Sequence, residues 1–184
     1  MSDTYLLSCE ALSTLEEKFA QDAHFMSIAL PRLKIIAAMA DLLGDQRLEW
    51  KVKYSPVNRS ANGVIISLKD PRKKFLFYYA IPLSLGLNVH LYLGDNTFNF
   101  FEAHPLLIKQ GVIAAEEYPV AATVNTLPHL VLNDKNERYE QGLLRASHCT
   151  PAEVQGSRLY KVLENAFAKF NPVLLAIIDG NMAL

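Results

Sequence analysis

The sequence predicts an α+β fold, in which an antiparallel β-meander of four to five strands and a later β-hairpin pack against helices. Two observations predict it. Residues 47–101 contain short alternating or wholly apolar segments separated by turn signals, and they hold 10 of the chain's 18 aromatic residues. The segments at both ends of the chain have helical periodicity instead. Strands grouped between helices favour helices packed on one face of an antiparallel sheet.

The composition limits the class of protein. The chain has 184 residues, of which 51% are hydrophobic and 20% charged, and this predicts a single α+β domain spanning residues 1–184. A net charge of −1 argues against nucleic-acid binding, which usually requires a basic excess. No apolar stretch is long enough to cross a bilayer, and the first residues lack a signal-peptide pattern. Cys9 and Cys149 have no spacing partners. We therefore expect a cytoplasmic protein with reduced thiols and no membrane association.

Two helices are predicted at the start of the chain. The first has an apolar stripe and two alternative capping boxes, Ser13 with Glu16 or Thr14 with Glu17. Pro31 suits the first turn of the second helix, and Gly44 is placed where a C-terminal cap is expected.

The strands follow directly. Four are predicted at residues 47–54, 63–68, 75–83 and 87–93, with a short fifth at 97–101. The first alternates charged and apolar residues, which predicts one buried and one solvated face. The third is apolar on both faces, so it is predicted to lie at the centre of the sheet. His90, on the fourth, is predicted to be a hydrogen-bonded strand histidine.

The second half contains three further predicted elements. A helix is predicted from His104-Pro105 to about Tyr118, and a hairpin from Leu127–Leu132 and Arg138–Ser147. The last helix has a strong start, because Thr150, Pro151 and Glu153 combine an N-cap, a first-turn proline and a capping-box glutamate. Asn171-Pro172 is predicted to kink or stop it, leaving Val173–Ile178 as a buried turn or strand. This order of elements is similar to that of type III secretion chaperones, which are typically shorter and more acidic.

The motifs of common enzymes are missing from the sequence. The eight glycines never occur at G-x-G spacing, and no Gly-Lys-Ser/Thr sequence is present to bind a nucleotide phosphate. No H-E-x-x-H or G-x-S-x-G sequence occurs either. We therefore predict no cofactor and no metal, and we expect binding more than catalysis.

Asp45, Glu49 and Lys51 are the alternative catalytic residues. A metal-dependent nuclease combines an acidic residue with Glu-x-Lys on one strand, where alternation directs the carboxylate and the ammonium to the same face. Glu49 and Lys51 satisfy this pattern, whereas Asp45 is only four residues earlier in a predicted turn. A solvent-facing charged stripe, which also includes Arg47 and Lys53, explains the same residues without chemistry.

The predicted binding site is a groove on the sheet. It is rimmed by aromatic residues from three strands: Trp50, Tyr54, Tyr79 and Tyr92. The leading hypothesis is a protein-binding module of chaperone-like, adaptor or immunity/inhibitor type that binds another protein, identity unknown, or forms a homodimer. The alternatives are a nuclease-like enzyme that uses Glu49 and Lys51, and a sensor of a small ligand.

Overall fold

The structure is a computed structural model, and it describes residues 3–58, 62–70, 76–83, 87–94, 97–115, 127–132 and 150–183. It has the predicted α+β architecture. The strands are β1 Asp3–Leu6, β2 Leu48–Tyr54, β3 Gly63–Leu68, β4 Phe77–Pro82, β5 His90–Leu93 and β6 His129–Val131. The helices are α1 Cys9–Lys18, α2 Leu30–Leu43, α3 Thr97–Lys109, α4 Pro151–Gly156 and α5 Arg158–Ile178.

The six strands form one antiparallel sheet in sequence order, β1 to β6, so the predicted meander is confirmed and is longer than predicted. β4 lies inside the sheet between β3 and β5, as its apolar sequence predicted. β1 pairs with β2 and was not predicted, because four residues are too few to show a clear alternation. β6 pairs with β5, and the proposed second strand of its hairpin, Arg138–Ser147, lies outside the described residues.

One face of the sheet, which we call the core face, packs against the helices. Alternate residues of β2, β3 and β4 are buried there, as the period of a strand requires. α5 crosses this face, where Phe167 has its ring centroid 6.1 Å from Trp50 and 5.0 Å from Tyr79. The Tyr79 hydroxyl donates a hydrogen bond to Asn171 Oδ1 at 2.7 Å. This buried bond connects the middle of the sheet to α5.

The first two helices cover the β2 end of the core face. α1 begins at Cys9 because the Ser8 side chain accepts a hydrogen bond from the Ala11 N–H, so the predicted caps at Ser13 and Thr14 are wrong. A π-helical turn, Phe25–Ala29, leads into α2, and Gly44 ends α2 as predicted. The Tyr54 ring packs edge-on against Phe25, with centroids 4.8 Å apart.

α3 replaces two predicted elements. It begins at Thr97, so the predicted short strand at 97–101 is wrong, and His104-Pro105 lies inside the helix instead of at its start. Phe100, Ala103 and Leu107 are fully buried at helical spacing, and this apolar stripe favours a helix over a strand.

The last helical segment begins as predicted, with a complete capping box between Thr150 and Glu153. It is interrupted at Ser157, which is extended and caps α5 by accepting a hydrogen bond from the Tyr160 N–H. Pro172 does not stop α5, so the prediction of a turn or strand at Val173–Ile178 is wrong. Leu174, Ile177 and Ile178 continue the buried stripe of the helix, and their packing outweighs the backbone hydrogen bond that proline removes.

Candidate functional site

The second face of the sheet, which we call the outer face, is formed by the side chains that point away from the helices. Cross-strand pairing places fourteen side chains on it: Thr4, Leu6, Glu49, Lys51, Lys53, Ile65, Ser67, Tyr78, Ala80, Pro82, His90, Tyr92, His129 and Val131. Thr4 and Leu6 are exposed and His129 is buried, whereas the other residues are partly exposed. The middle of this face is mainly aromatic and aliphatic, and its charged residues lie on β2.

Three aromatic rings stack across β4, β5 and β6. Tyr78 pairs with Tyr92 and Tyr92 with His129 in the strand register. The ring centroids of Tyr78 and Tyr92 are 4.6 Å apart with an interplanar angle of 9°, and those of Tyr92 and His129 are 4.8 Å apart at 29°. Burial, together with the neighbouring Tyr92, raises the pKa of Tyr78 to about 12, and burial also raises the pKa of Tyr92. Both phenols are therefore neutral hydrogen-bonding groups at physiological pH.

His90 and His129 lie beside this stack, with ring centroids 4.8 Å apart. The Nδ1 atom of His129 is 3.0 Å from the Leu127 carbonyl oxygen, a geometry in which the ring N–H donates. Within the described residues, the Nδ1 atom of His90 is buried without a hydrogen-bond partner. Burial, and secondarily His129, lowers the pKa of His90 to about 4, so the ring is uncharged at neutral pH.

The four residues of the predicted groove do not lie on one surface. Trp50, Tyr54 and Tyr79 are buried on the core face, with exposed fractions of 8%, 1% and 0%, whereas Tyr92 lies on the outer face. Of the four, only Tyr92 belongs to the stacked cluster. Tyr78 was missed, although its alternation with Tyr79 could have identified it as a residue of the opposite face.

The alternative catalytic residues are also divided between locations. Glu49 and Lys51 share the outer face, as predicted, and form an ion pair with each other. Asp45 lies in the turn before β2, where its carboxylate accepts a hydrogen bond from the Arg47 N–H at 2.8 Å. Burial chiefly, and Asp45 secondarily, raises the pKa of Tyr79 on the core face. Within the described ranges, no group of three or more His, Cys, Asp or Glu side chains is placed to hold a metal ion.

Comparison with known proteins gives no relative. No protein-family model matches the chain, no curated protein matches it, and no solved structure matches it. Among the described segments, no helix has both the length and the apolar character needed to cross a membrane.

Proposed function

We propose that this protein is a binding module that recognises another protein through its outer face and catalyses no reaction. The observation that carries the proposal is the stack of Tyr78, Tyr92 and His129 on a partly exposed sheet surface. Tyrosine is enriched at protein interfaces because its ring contributes apolar contact area while its hydroxyl forms a directed hydrogen bond. The neutral phenols of Tyr78 and Tyr92, and the uncharged His90 beside the stack, also lower the cost of removing water from the surface.

The distribution of charge on the outer face supports the same function. Ile65 and Ala80 adjoin each other in the register of β3 and β4, and they continue the apolar area beside the stack. Lys53 and the ion pair of Glu49 with Lys51 lie to one side, on β2. An apolar centre with a charged margin is the usual arrangement of a protein interface. Such a surface is compatible with each of the predicted classes, a chaperone-like, adaptor or immunity/inhibitor protein.

The test compares two glutamate substitutions that introduce the same charge on opposite sides of the molecule. Ile65→Glu places a carboxylate in the middle of the outer face, and Ala168→Glu places one on the exposed side of α5. Each variant would be tagged at its C-terminus, purified from native cells, and compared with wild type for co-eluting protein. We expect wild type and Ala168→Glu to retain a near-stoichiometric partner, and Ile65→Glu to lose it by about tenfold or more.

Two results would contradict the proposal. One is a wild-type protein that elutes as a lone monomer, without a partner. The other is equal retention of the partner by all three proteins, which would place its binding site elsewhere. Thermal melts of each variant exclude unfolding as the cause of any loss.

A further inference from the structure

Among the strands that the structure describes, β1 lies at the edge of the sheet, and its outward backbone groups can be assigned from its register. The Leu7 N–H donates to the Trp50 carbonyl oxygen at 2.8 Å, and hydrogen-bonded residues alternate along an antiparallel pair. Tyr5 therefore directs its N–H and C=O toward β2. Thr4 and Leu6 direct theirs away from β2, to the open edge of the sheet.

The two outward positions of this edge lack a blocking residue, although β1 is only four residues long and begins with Asp3. Natural edge strands are commonly blocked by proline, by a bulge or by a charged side chain. Thr4 and Leu6 are neither charged nor proline, both are exposed, and Leu6 is 58% exposed. No backbone hydrogen bond satisfies their outward groups within the described part of the chain. The edge thus combines donors and acceptors with an exposed apolar side chain.

Two lysines flank the edge, one on each face of the sheet. Lys53 is directly opposite Thr4 in the register of β1 with β2, on the outer face. Lys18, which is exposed on α1, contacts the Tyr5 hydroxyl on the opposite face, with its Nζ atom 5.2 Å from the Tyr5 ring centroid. A strand added next to β1 would therefore lie near an amine on both of its faces.

We infer that β1 binds an extended acidic segment of the partner protein by strand addition. This deepens the proposed function and depends on it, because it specifies how the partner's chain docks. Main-chain hydrogen bonds to Thr4 and Leu6 supply affinity, and carboxylates directed to the two faces pair with Lys53 and Lys18. An acidic segment fits better than a second copy of this chain. Antiparallel self-pairing centred on Tyr5 would place the Lys18 side chains of both copies next to each other.

The inference is tested with three synthetic peptides. The first is a fluorescein-labelled ten-residue peptide of Val and Thr with Glu at every third position, so that carboxylates point to both faces. The second has Lys in place of Glu, and the third is the acidic peptide N-methylated at alternate residues, which removes hydrogen-bond donors. We expect the acidic peptide to bind about tenfold more tightly than either control, as measured by fluorescence anisotropy. We also expect it to slow hydrogen exchange at the Thr4 and Leu6 amides in NMR spectra.

Substitutions in the protein test the same site independently of changes to the peptide. Leu6→Pro removes an outward donor and leaves the bonds of β1 to β2, and Lys53→Glu reverses one flanking charge. Lys109→Glu, at the end of α3, is the matched control for the change of charge. We expect the first two variants to weaken binding of the acidic peptide by about tenfold, and the control to bind like wild type. Lys53→Glu remains informative if the proline variant unfolds.

Several outcomes would overturn the inference. Equal binding of the acidic and basic peptides would exclude charge recognition, and unchanged binding by Lys53→Glu would exclude this edge. Dimerisation of wild type in sedimentation, lost in Leu6→Pro and without peptide binding, would identify a second copy as the occupant. If Leu6→Pro and Lys53→Glu retain a cellular partner that Ile65→Glu loses, strand addition is wrong and the proposed function stands. If Ile65→Glu also retains it, the proposed function itself fails.

Discussion

Two adjacent tyrosines of β4 show how strand alternation gives one residue type two roles. Tyr78 is partly exposed and stacks on Tyr92 at the outer face. Tyr79 is fully buried, and its hydroxyl donates to Asn171 at 2.7 Å. The sequence predicted that β4 is apolar on both faces. It did not indicate which tyrosine faces the helices, because that depends on residues of α5 that are distant in sequence.

This difference predicts unequal effects of the same substitution. Tyr79→Phe leaves the buried Asn171 oxygen without its donor, which costs about 1–3 kcal/mol in the free energy of unfolding. Tyr78→Phe removes a hydroxyl from a partly exposed position and should change it by less than about 0.5 kcal/mol. Urea unfolding of both variants measures these values. Equal losses would show that the bond to Asn171 does not contribute to stability.

The neutral state of His90 predicts a pH dependence of stability. The pKa of His90 is about 4 in the folded protein, below its unfolded value of about 6.5, so the folded protein binds fewer protons between these values. His90 thus contributes its full stability above pH 6.5, and this contribution is lost as the pH falls toward 4. Because the ring is only partly buried, screening reduces the loss to about 1–2 kcal/mol.

The measurement is urea unfolding of wild type and His90→Gln at several pH values between 7.5 and 4. Taking the difference between the two proteins cancels the titration of groups that they share, including His129 on the neighbouring strand. We expect wild type to lose more stability than the variant as the pH falls. Parallel curves would contradict a buried, uncharged His90.

Elements with a long, regular pattern were predictable, and short or interrupted ones were not. β2 was found because its alternation extends over seven residues, β3 because Asn62-Gly63 signals a turn before it, and α4 because its capping box is local. β1 was missed because pairing with β2, not its own sequence, makes it a strand. The start of α3 was misplaced because Thr97–Phe101 contains aromatic residues, which favour strands. The segment is helical instead because a helix buries its apolar stripe.

The connection between β5 and α3 provides a prediction at the scale of elements. Gly94 has φ +84°, and a Cβ there would clash with Asn99 Cβ in the first turn of α3. Gly111 has φ +68°, and a Cβ there meets open space. We expect Gly111→Ala to cost about 1–2 kcal/mol through backbone strain alone, and Gly94→Ala to cost clearly more because α3 must shift. Chemical denaturation measures the free energy of unfolding of both variants. Equal losses would show that Asn99 and α3 move away from the new Cβ without loss of stability.

For the whole molecule, the sequence predicted a sheet with helices on one face, and the structure has this arrangement. The candidate site was less predictable. Trp50 and Tyr54 occupy the apolar alternate positions of β2, whereas the charged Lys51 and Lys53 occupy the positions between them. This alternation already indicated that Trp50 and Tyr54 face the core. Tyr92 lies on the outer face, so it cannot share a groove with them. The stack of Tyr92 on His129 depends on the pairing of β5 with β6, which no local pattern reveals.

The described residues share one hydrophobic core, which predicts one unfolding transition. Trp50, the only tryptophan of the chain, is 8% exposed and packs between the sheet and α5. Its fluorescence therefore reports the contact of the two layers, whereas circular dichroism at 222 nm reports helix content. We expect the two signals to give the same midpoint in urea, because the helices are stable only on the sheet. A fluorescence transition at lower urea would show that α5 detaches before it unfolds.

The order of the meander also has a consequence for synthesis on the ribosome. Each strand pairs with its neighbour in sequence, so β1 to β5 can associate as they emerge from the exit tunnel. α5, which covers Trp50 and Tyr79, is translated about 100 residues after β2, roughly 5–20 s later at ordinary elongation rates. During that interval the nascent sheet exposes an aromatic surface that the finished protein buries. The growing chain is therefore most prone to aggregation, and most in need of a chaperone, before its last helix is made.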